Sequence, residues 1–382
     1  MINQTQQRFK IINEDNMKTL ILTKGSENKL NHFRLKDITF NPNSNSSHDE
    51  FCVHNRRYLG SKYKLLGFIH EVSSNINKHV ESVADIFAGT GIVADYFNSM
   101  NKKIIVNDIL KSNFLIYNAF FSDININMDK LNTIIKEFNT VQVREENYFS
   151  KNFGGTFFNN ENAKKIGYIR EKIEKIENLS FREKSILITS LLYATDKVAN
   201  TCGHYDAYRR RLDTNNEIKL LMPKLYSNNN QNEIYNKDAN DLVKSIDADL
   251  IYIDPPYNSR QYGDTYHLLE NLAEWKKPEV IGVAKKMKNR SKIKSKYCTI
   301  KAPVVFKELI KNINAKYILV SYNNMEQKGV GRSNAKISYE EILNILQNKG
   351  NVEVFDCNYK AYTTGKSNIS NHKELLYLCK VN

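Results

Sequence analysis

The sequence predicts an α/β fold: a doubly wound, mostly parallel sheet carrying a mainly helical insert. Three observations lead to that prediction. The first is a short apolar run at 83–86 that enters the loop Phe87-Ala88-Gly89-Thr90-Gly91, followed by Ile92, Val93, Tyr96 and Phe97 at helical spacing. Strand, glycine loop and helix in this order form the unit from which nucleotide-binding parallel sheets are wound. The second is that strand-like runs keep stopping at acids: Ile104-Ile105-Val106 before Asn107-Asp108, and 233–237 before Asp238. The third is Leu250-Ile251-Tyr252-Ile253, a buried-strand pattern closed by Asp254-Pro255-Pro256-Tyr257. Neither proline has an N–H to donate, so sheet pairing stops there. A carboxylate and a ring are thereby held on a stiff turn at a strand end, where open α/β sheets bind ligands.

Taken in order, residues 1–50 are polar and weakly patterned. They read as a peripheral extension, with a linker at 41–47. Arg56-Arg57-Tyr58-Leu59-Gly60-Ser61-Lys62 then precedes a helical pattern of Leu65, Leu66, Phe68, Ile69 and Val72. Lys62 stands where it could meet an anionic ligand, or where it is an ordinary surface lysine. Gly89 and Gly91 let backbone approach a ligand. Asp108 is placed either to accept from ribose hydroxyls or to cap a helix.

Between 112 and 232 the strand–loop–helix rhythm lapses. One clear helix stands inside, opened by the capping box Ser180-Phe181-Arg182-Glu183. Tyr205, Tyr208, Arg209, Arg210 and Arg211 follow it. Arginines among tyrosines suit phosphate contact, base reading and stacking, and equally a solvated face.

The rhythm then resumes. No acid occurs between Glu279 and Glu308, an interval holding Lys285, Lys286, Lys288, Arg290 and Lys292. A run of one sign reads as a solvated, mobile segment suited to a phosphate backbone, and Arg260 stands just ahead of it. A helix near 303–313, a strand at 317–322 and a capped helix from Ser338 follow, with Gly350 as its stop. Strands at 352–355 and 375–379 close the sheet.

Composition narrows the function. The chain has 382 residues, 26% of them charged and 41% hydrophobic, which is ordinary for a water-soluble globular protein. No apolar run reaches the roughly 18 residues of a membrane span. Fifty-six lysines and arginines against 42 acids leave a formal charge of +14, which suggests a polyanionic partner such as nucleic acid. The five cysteines are scattered and form no C-x-x-C pair. That argues against a disulfide framework and a zinc site, and for a reducing, cytoplasmic setting without a metal.

Together these motifs resemble the D12, or Dam-like, class of N6-adenine DNA methyltransferases. Asp85-Ile86-Phe87-Ala88-Gly89-Thr90-Gly91 is similar to that family's cofactor loop, Asp254-Pro255-Pro256-Tyr257 to its catalytic motif, and 57–62 to its N-terminal motif. The likeness covers 51–111 and 233–382, and the insert only loosely. It implies a Rossmann-like methyltransferase sheet over those two segments, with 112–232 as the target-recognition region. S-adenosylmethionine is the implied cofactor and double-stranded DNA the implied partner, in a system that can include a cognate restriction endonuclease.

By the same resemblance, Tyr58, Lys62, Asp85, Phe87, Ala88, Gly89, Gly91, Asp108 and Asp238 bind the cofactor. Asp254, Pro255, Pro256 and Tyr257 carry the transfer. Tyr58 departs from the tryptophan often found at its position, though an aromatic platform survives. The run from Asn258 to Glu270 is similar to type II restriction-system methyltransferases acting on CATG sites.

The chemistry fits the residue types. An exocyclic adenine amine is a poor nucleophile, and an acceptor such as Asp254 or the Pro255 carbonyl can hold its hydrogens and aim its lone pair. A base inside a duplex is out of reach, so it flips out, and Tyr257 is suited to stack on it. Two other readings stay open. One keeps the fold and changes the acceptor to cytosine N4, RNA or a protein amide. The other is a non-catalytic DNA-binding regulator.

Overall fold

The computed structural model describes residues 50–212, 216–226, 231–325, 334–358 and 373–382, and the backbone of 31–34. The linker expected at 41–47 lies outside the described residues, as does most of the expected extension. Asn31–Arg34 is a strand at the edge of the main sheet, parallel to Gly350–Asn358.

The strands are β1 (Asn31–Arg34), β2 (Glu50–Phe51), β3 (Ser82–Asp85), β4 (Lys103–Asn107), β5 (Met222–Pro223) and β6 (Glu233–Tyr235). They continue as β7 (Ala248–Ile253), β8 (Val280–Ile281), β9 (Lys286–Met287), β10 (Ala315–Asn323), β11 (Gly350–Asn358) and β12 (Lys373–Val381). Eight of them form one sheet in the order β1-β11-β12-β10-β7-β3-β4-β6. Neighbours pair in parallel except β12, which runs against both β10 and β11. From β3 the chain winds outward through β4 to β6, then returns to β7 on the other side of β3. The strand order therefore reverses between β3 and β7, and a crevice opens at their carboxyl ends.

Both faces of the sheet are covered, which is why its strands read as continuous apolar runs. Leu250 and Tyr252 join one buried cluster while Ile251 and Ile253 join the other, the two-residue alternation of a strand. The second face is covered by α8 (Ala239–Leu242), α11 (Ala302–Asn312) and α12 (Tyr339–Gln347). The first face carries α1 (Leu66–Ser74), α2 (Ile92–Ser99) and α3 (Lys111–Phe121). The short α9 (Tyr262–Thr265) leads into α10 (His267–Glu274), which packs on the same side.

The 112–232 region holds more helix than its pattern announces: the end of α3, then α4 (Met128–Thr140), α5 (Tyr148–Phe153), α6 (Asn160–Lys175) and α7 (Phe181–Val198). Only α7, with its reciprocal Ser180–Glu183 cap, matches the one helix expected there. In α3 nine residues are buried, Ser112, Asn113 and Asn118 among them, so there is no polar face to reveal the helical period. In α6 the buried face includes Arg170, whose Nε donates to the Leu272 carbonyl at 2.7 Å, and a charge there masks the stripe. These helices share the larger apolar cluster with the sheet.

Gly350 also differs from its expected role. Asn348 caps α12, and Gly350 opens β11 instead, where a Cβ would collide with the Lys380 carbonyl of β12.

Candidate active site

The crevice at the β3–β7 switch is a cavity of about 510 Å³. The catalytic-motif residues Asp254, Pro255, Pro256 and Tyr257 line it, as do Tyr58, Lys62, Asp85, Phe87, Ala88, Gly89, Asp108 and Asp238. Gly91 stands just behind, as the N-cap of α2 with φ +78°. A Cβ there would meet Tyr117 at 2.9 Å, and one on Gly89 (φ +53°) would meet Tyr58 at 3.1 Å. Only glycine gives this loop its shape.

Asp85, at the end of β3, is buried, and neither of its carboxyl oxygens has a hydrogen-bond partner. Burial pushes this carboxyl well above the usual range, and the neighbouring Asp254 adds to the shift; the Ala94 amide opposes it without forming a full hydrogen bond. A buried, unpartnered acid facing a cavity calls for a donor or a cation. Asp108 is already engaged, accepting from the Gly89 amide at 3.0 Å and the Leu110 amide at 2.8 Å. It thus ties the glycine loop to the start of α3, and its remaining lone pairs are what it offers a ligand. Asp238 caps α8 through the Asn240 amide at 2.9 Å and stands exposed at the cavity rim.

At the other end of the cavity, Lys62 is turned to the catalytic carboxylate. Its Nζ lies 2.8 Å from Asp254 Oδ1, 2.7 Å from Oδ2 and 3.7 Å from Glu374 Oε1. Burial raises the Asp254 carboxyl above its usual range, with Lys62 opposing the shift and Glu374 adding to it. The Tyr257 hydroxyl donates to Glu374 Oε1 at 2.5 Å, and its ring packs against Tyr322 at 4.5 Å between centroids.

The N-terminal motif is fastened from two sides. Arg56 donates to the Gly89 carbonyl at 2.8 Å and to Asn113 at 2.7 Å, while the Arg57 amide donates to Asp196 of α7 at 3.0 Å. Tyr58 stacks on Tyr266 at 4.6 Å and Tyr262 at 5.5 Å, forming an aromatic wall.

Several groups of the site carry roles that their motifs do not announce. Tyr262 and Tyr266, four apart just after the catalytic turn, carried a legible helical spacing. Asn107 bonds the Ile86 and Lys237 carbonyls at 3.0 and 3.1 Å, clamping three strand ends together. Glu270, buried in α10, accepts from the Lys111 and Ser112 amides at 2.9 and 2.7 Å and so caps α3 from a distant segment.

Burial pushes the Glu270 carboxyl up from 4.5 to about 7. The folded chain therefore holds this proton more tightly than the unfolded one. The resulting stability is present below the unfolded value and is lost as pH rises through about 7. The melting-temperature advantage of wild type over Glu270→Gln is expected to be larger near about pH 5 than near about pH 8. The opposite trend would mean that the two amides hold the carboxylate charged.

The expected DNA-contacting residues divide. Arg209, Arg210, Arg211, Arg260, Lys288 and Lys292 are exposed; Tyr208, Lys285, Lys286 and Arg290 are half-buried. Tyr205 is in the core, its hydroxyl 3.1 Å from Asp196. It supports the α7–α10 packing rather than a surface.

The basic run is also less open than its sequence suggests. Lys286 pairs with Asp206 at 2.6 Å, Lys288 with Glu279 at 2.8 Å and Arg290 with Asp264 at 2.5 Å. These acids come from outside the run or from its edge, so a gap in local acids did not mean a run of unpaired cations. The segment folds into the β8–β9 ribbon and two short 3₁₀ turns. None of the five cysteines is joined in a disulfide. Among the described residues, no group of three or more His, Cys, Asp or Glu is arranged to hold a metal ion, and no helix is long and apolar enough to cross a membrane.

A glycine loop and an acid–aromatic turn facing one crevice define a class. Residues 58–330 match the family described as D12 class N6 adenine-specific DNA methyltransferases, and the chain belongs to that family. Its sheet is the Rossmann-like methyltransferase sheet. It is similar to the modification methylase StsI of Streptococcus sanguinis, 34% identical over 349 residues, covering 84% of this chain and 51% of that protein. It also resembles the type II methyltransferase M.NlaIII of Neisseria lactamica (31% over 330 residues, 83% of this chain and 95% of that protein). A third relative is M.FokI of Planomicrobium okeanokoites (32% over 332 residues, 81% and 50%). The chain thus spans about half the length of StsI and M.FokI and nearly all of M.NlaIII.

Proposed function

We propose that the chain transfers a methyl group from S-adenosylmethionine to N6 of an adenine flipped out of double-stranded DNA, as the modification enzyme of a restriction–modification system. The observation that carries this reading is one cavity holding two acids of different kinds: Asp85, buried and unpartnered beside the glycine loop, and Asp254, ion-paired at the catalytic turn. The residues fit the cofactor. Asp85 suits the methionine ammonium, Gly89 and Gly91 leave room for its backbone, Asp108 and Asp238 suit the ribose and adenine, and the Tyr58 wall bounds the site. When bound, the cofactor supplies a methyl carbon already activated by its sulfonium.

The chain's own work is positioning and electrostatics. Asp254 and the Pro255 carbonyl accept the amine hydrogens and aim the nitrogen lone pair along the line of transfer. Asp254, hydrogen-bonded to the amine, would take the proton that N6 sheds once methylated and pass it to solvent. Tyr257 stacks on the extruded base. Arg209, Arg210, Arg211, Arg260 and Lys292 are the exposed cations best suited to phosphate contact, and the insert at 112–232 reads the target.

Incubation with methyl-labelled cofactor and separate DNA, RNA and protein acceptors tests the reading. Label is expected in DNA as N6-methyladenine. Label in RNA, protein or cytosine, or cofactor binding without transfer to any DNA, would overturn it.

A further inference from the structure

The reversed strand β12 brings an acid to the catalytic turn. Because β12 runs against its neighbours, its first residues lie at the edge where the parallel strands end. Glu374, second in that strand, is buried and lines the cavity. Its Oε1 accepts from the Tyr257 hydroxyl at 2.5 Å and the Ser321 hydroxyl at 2.7 Å, and lies 3.7 Å from Lys62 Nζ. Lys62 meanwhile takes both oxygens of Asp254. The site thus sets one ammonium between two carboxylates, and neither the Lys62 nor the Glu374 side chain is more than 7% exposed.

This arrangement bears on the transfer step. As Asp254 turns its remaining lone pairs to an amine, the charge it shares with Lys62 is drawn toward the new donor and the Lys62 pairing loosens. A buried ammonium cannot be handed to water without penalty, so another anion must take it up. Glu374 is that anion: a shift of about 1 Å brings the pair to the 2.7–2.9 Å of a charge-assisted bond. The same carboxylate fixes the Tyr257 hydroxyl and with it the plane of the ring against Tyr322.

We propose that Glu374 is a positioning residue of the transfer site, anchoring the Tyr257 hydroxyl and receiving the Lys62 ammonium as Asp254 turns to the adenine amine. This rests on the adenine-methylation reading.

The test is single-turnover methyl transfer by Glu374→Gln as a function of pH, with cofactor and DNA Kd measured on the same protein. Transfer is expected to fall by about 10–100-fold, the scale of a misplaced reacting group, with both Kd values within about twofold of wild type. The groups facing Asp254 are Lys62 ahead of α1, Glu374 of β12, Tyr257 of its own turn, Asp85 of β3, Tyr252 of β7 and Tyr262 of α9. Removing the Glu374 charge removes a repulsion that raises the Asp254 carboxyl, so the acid limb of the rate profile should move to lower pH. A merely structural role would leave the single-turnover rate of the folded protein unchanged.

Wild-type rate and an unmoved limb in Glu374→Gln, with wild type active on DNA, would overturn this proposal alone. An inactive wild type would overturn the methylation reading and this proposal with it. Should Glu374→Gln fail to melt cooperatively, Glu374→Asp replaces it, keeping the charge but shortening the reach. Its loss should then be non-additive with Tyr257→Phe, and additive losses would overturn the proposal.

Discussion

Asp254→Asn is expected to reduce methyl transfer to DNA by about 10²–10³-fold or more, with DNA binding retained. The asparagine fills the same space, but its amide nitrogen is a donor that would face both the Lys62 ammonium and the incoming amine. Either neutral substitution leaves Lys62 with Glu374 at 3.7 Å as its nearest acid, but asparagine keeps an amide oxygen that the ammonium can still bond, where alanine leaves none. A buried charge deprived of its partner destabilises the fold for reasons unrelated to catalysis. Labelled-cofactor turnover and a gel-shift titration on the same preparation check both halves of the prediction. Near-normal turnover would remove Asp254 from the reaction.

Tyr257 should show the next largest effect, and its two obvious substitutions should differ. Tyr257→Ala removes the ring, and base–aromatic stacking is worth about 1–3 kcal/mol, comparable to the few kcal/mol that unstacking a base requires. Turnover should fall, together with the fluorescence rise of 2-aminopurine placed at the target position. Tyr257→Phe keeps the ring and loses the hydroxyl bond to Glu374, so flipping should persist while transfer weakens moderately. Equal damage from both variants, in both readouts, would mean that stacking is not the main role of this side chain.

The sheet was legible because its strands are buried on both faces and end in acids and glycines. β3, β4, β7 and β10 fall where their apolar runs lie, and β11 and β12 close the sheet at its other end. The crevice followed from strand order, since a glycine loop after one strand and a proline turn after another meet only where the order reverses. The insert was opaque for the opposite reason. Its helices bury polar residues such as Asn113, Lys165 and Arg170, satisfying them with partners from other segments, so local periodicity fails there.

The site's electrostatics were legible in kind but not in pairing. The sequence leaves Lys62 either facing an anion or on the surface; it is buried, and its partners Asp254 and Glu374 are 192 and 312 positions away (254 − 62 and 374 − 62). The basic run at 285–292 hides its pairing for the same reason, because Asp206 and Asp264 reach it only in the folded chain. Tyr205 shows that an aromatic beside arginines can belong to the core.

The most direct test of the central claim is a base-resolved map of methylation in DNA from cells without other adenine methyltransferases, expressing either the wild-type chain or Asp254→Asn. N6-methyladenine is expected at one short recognition sequence in wild-type cells and none with the variant. Methylation on cytosine, no methylation, or an unchanged map with Asp254→Asn would contradict it.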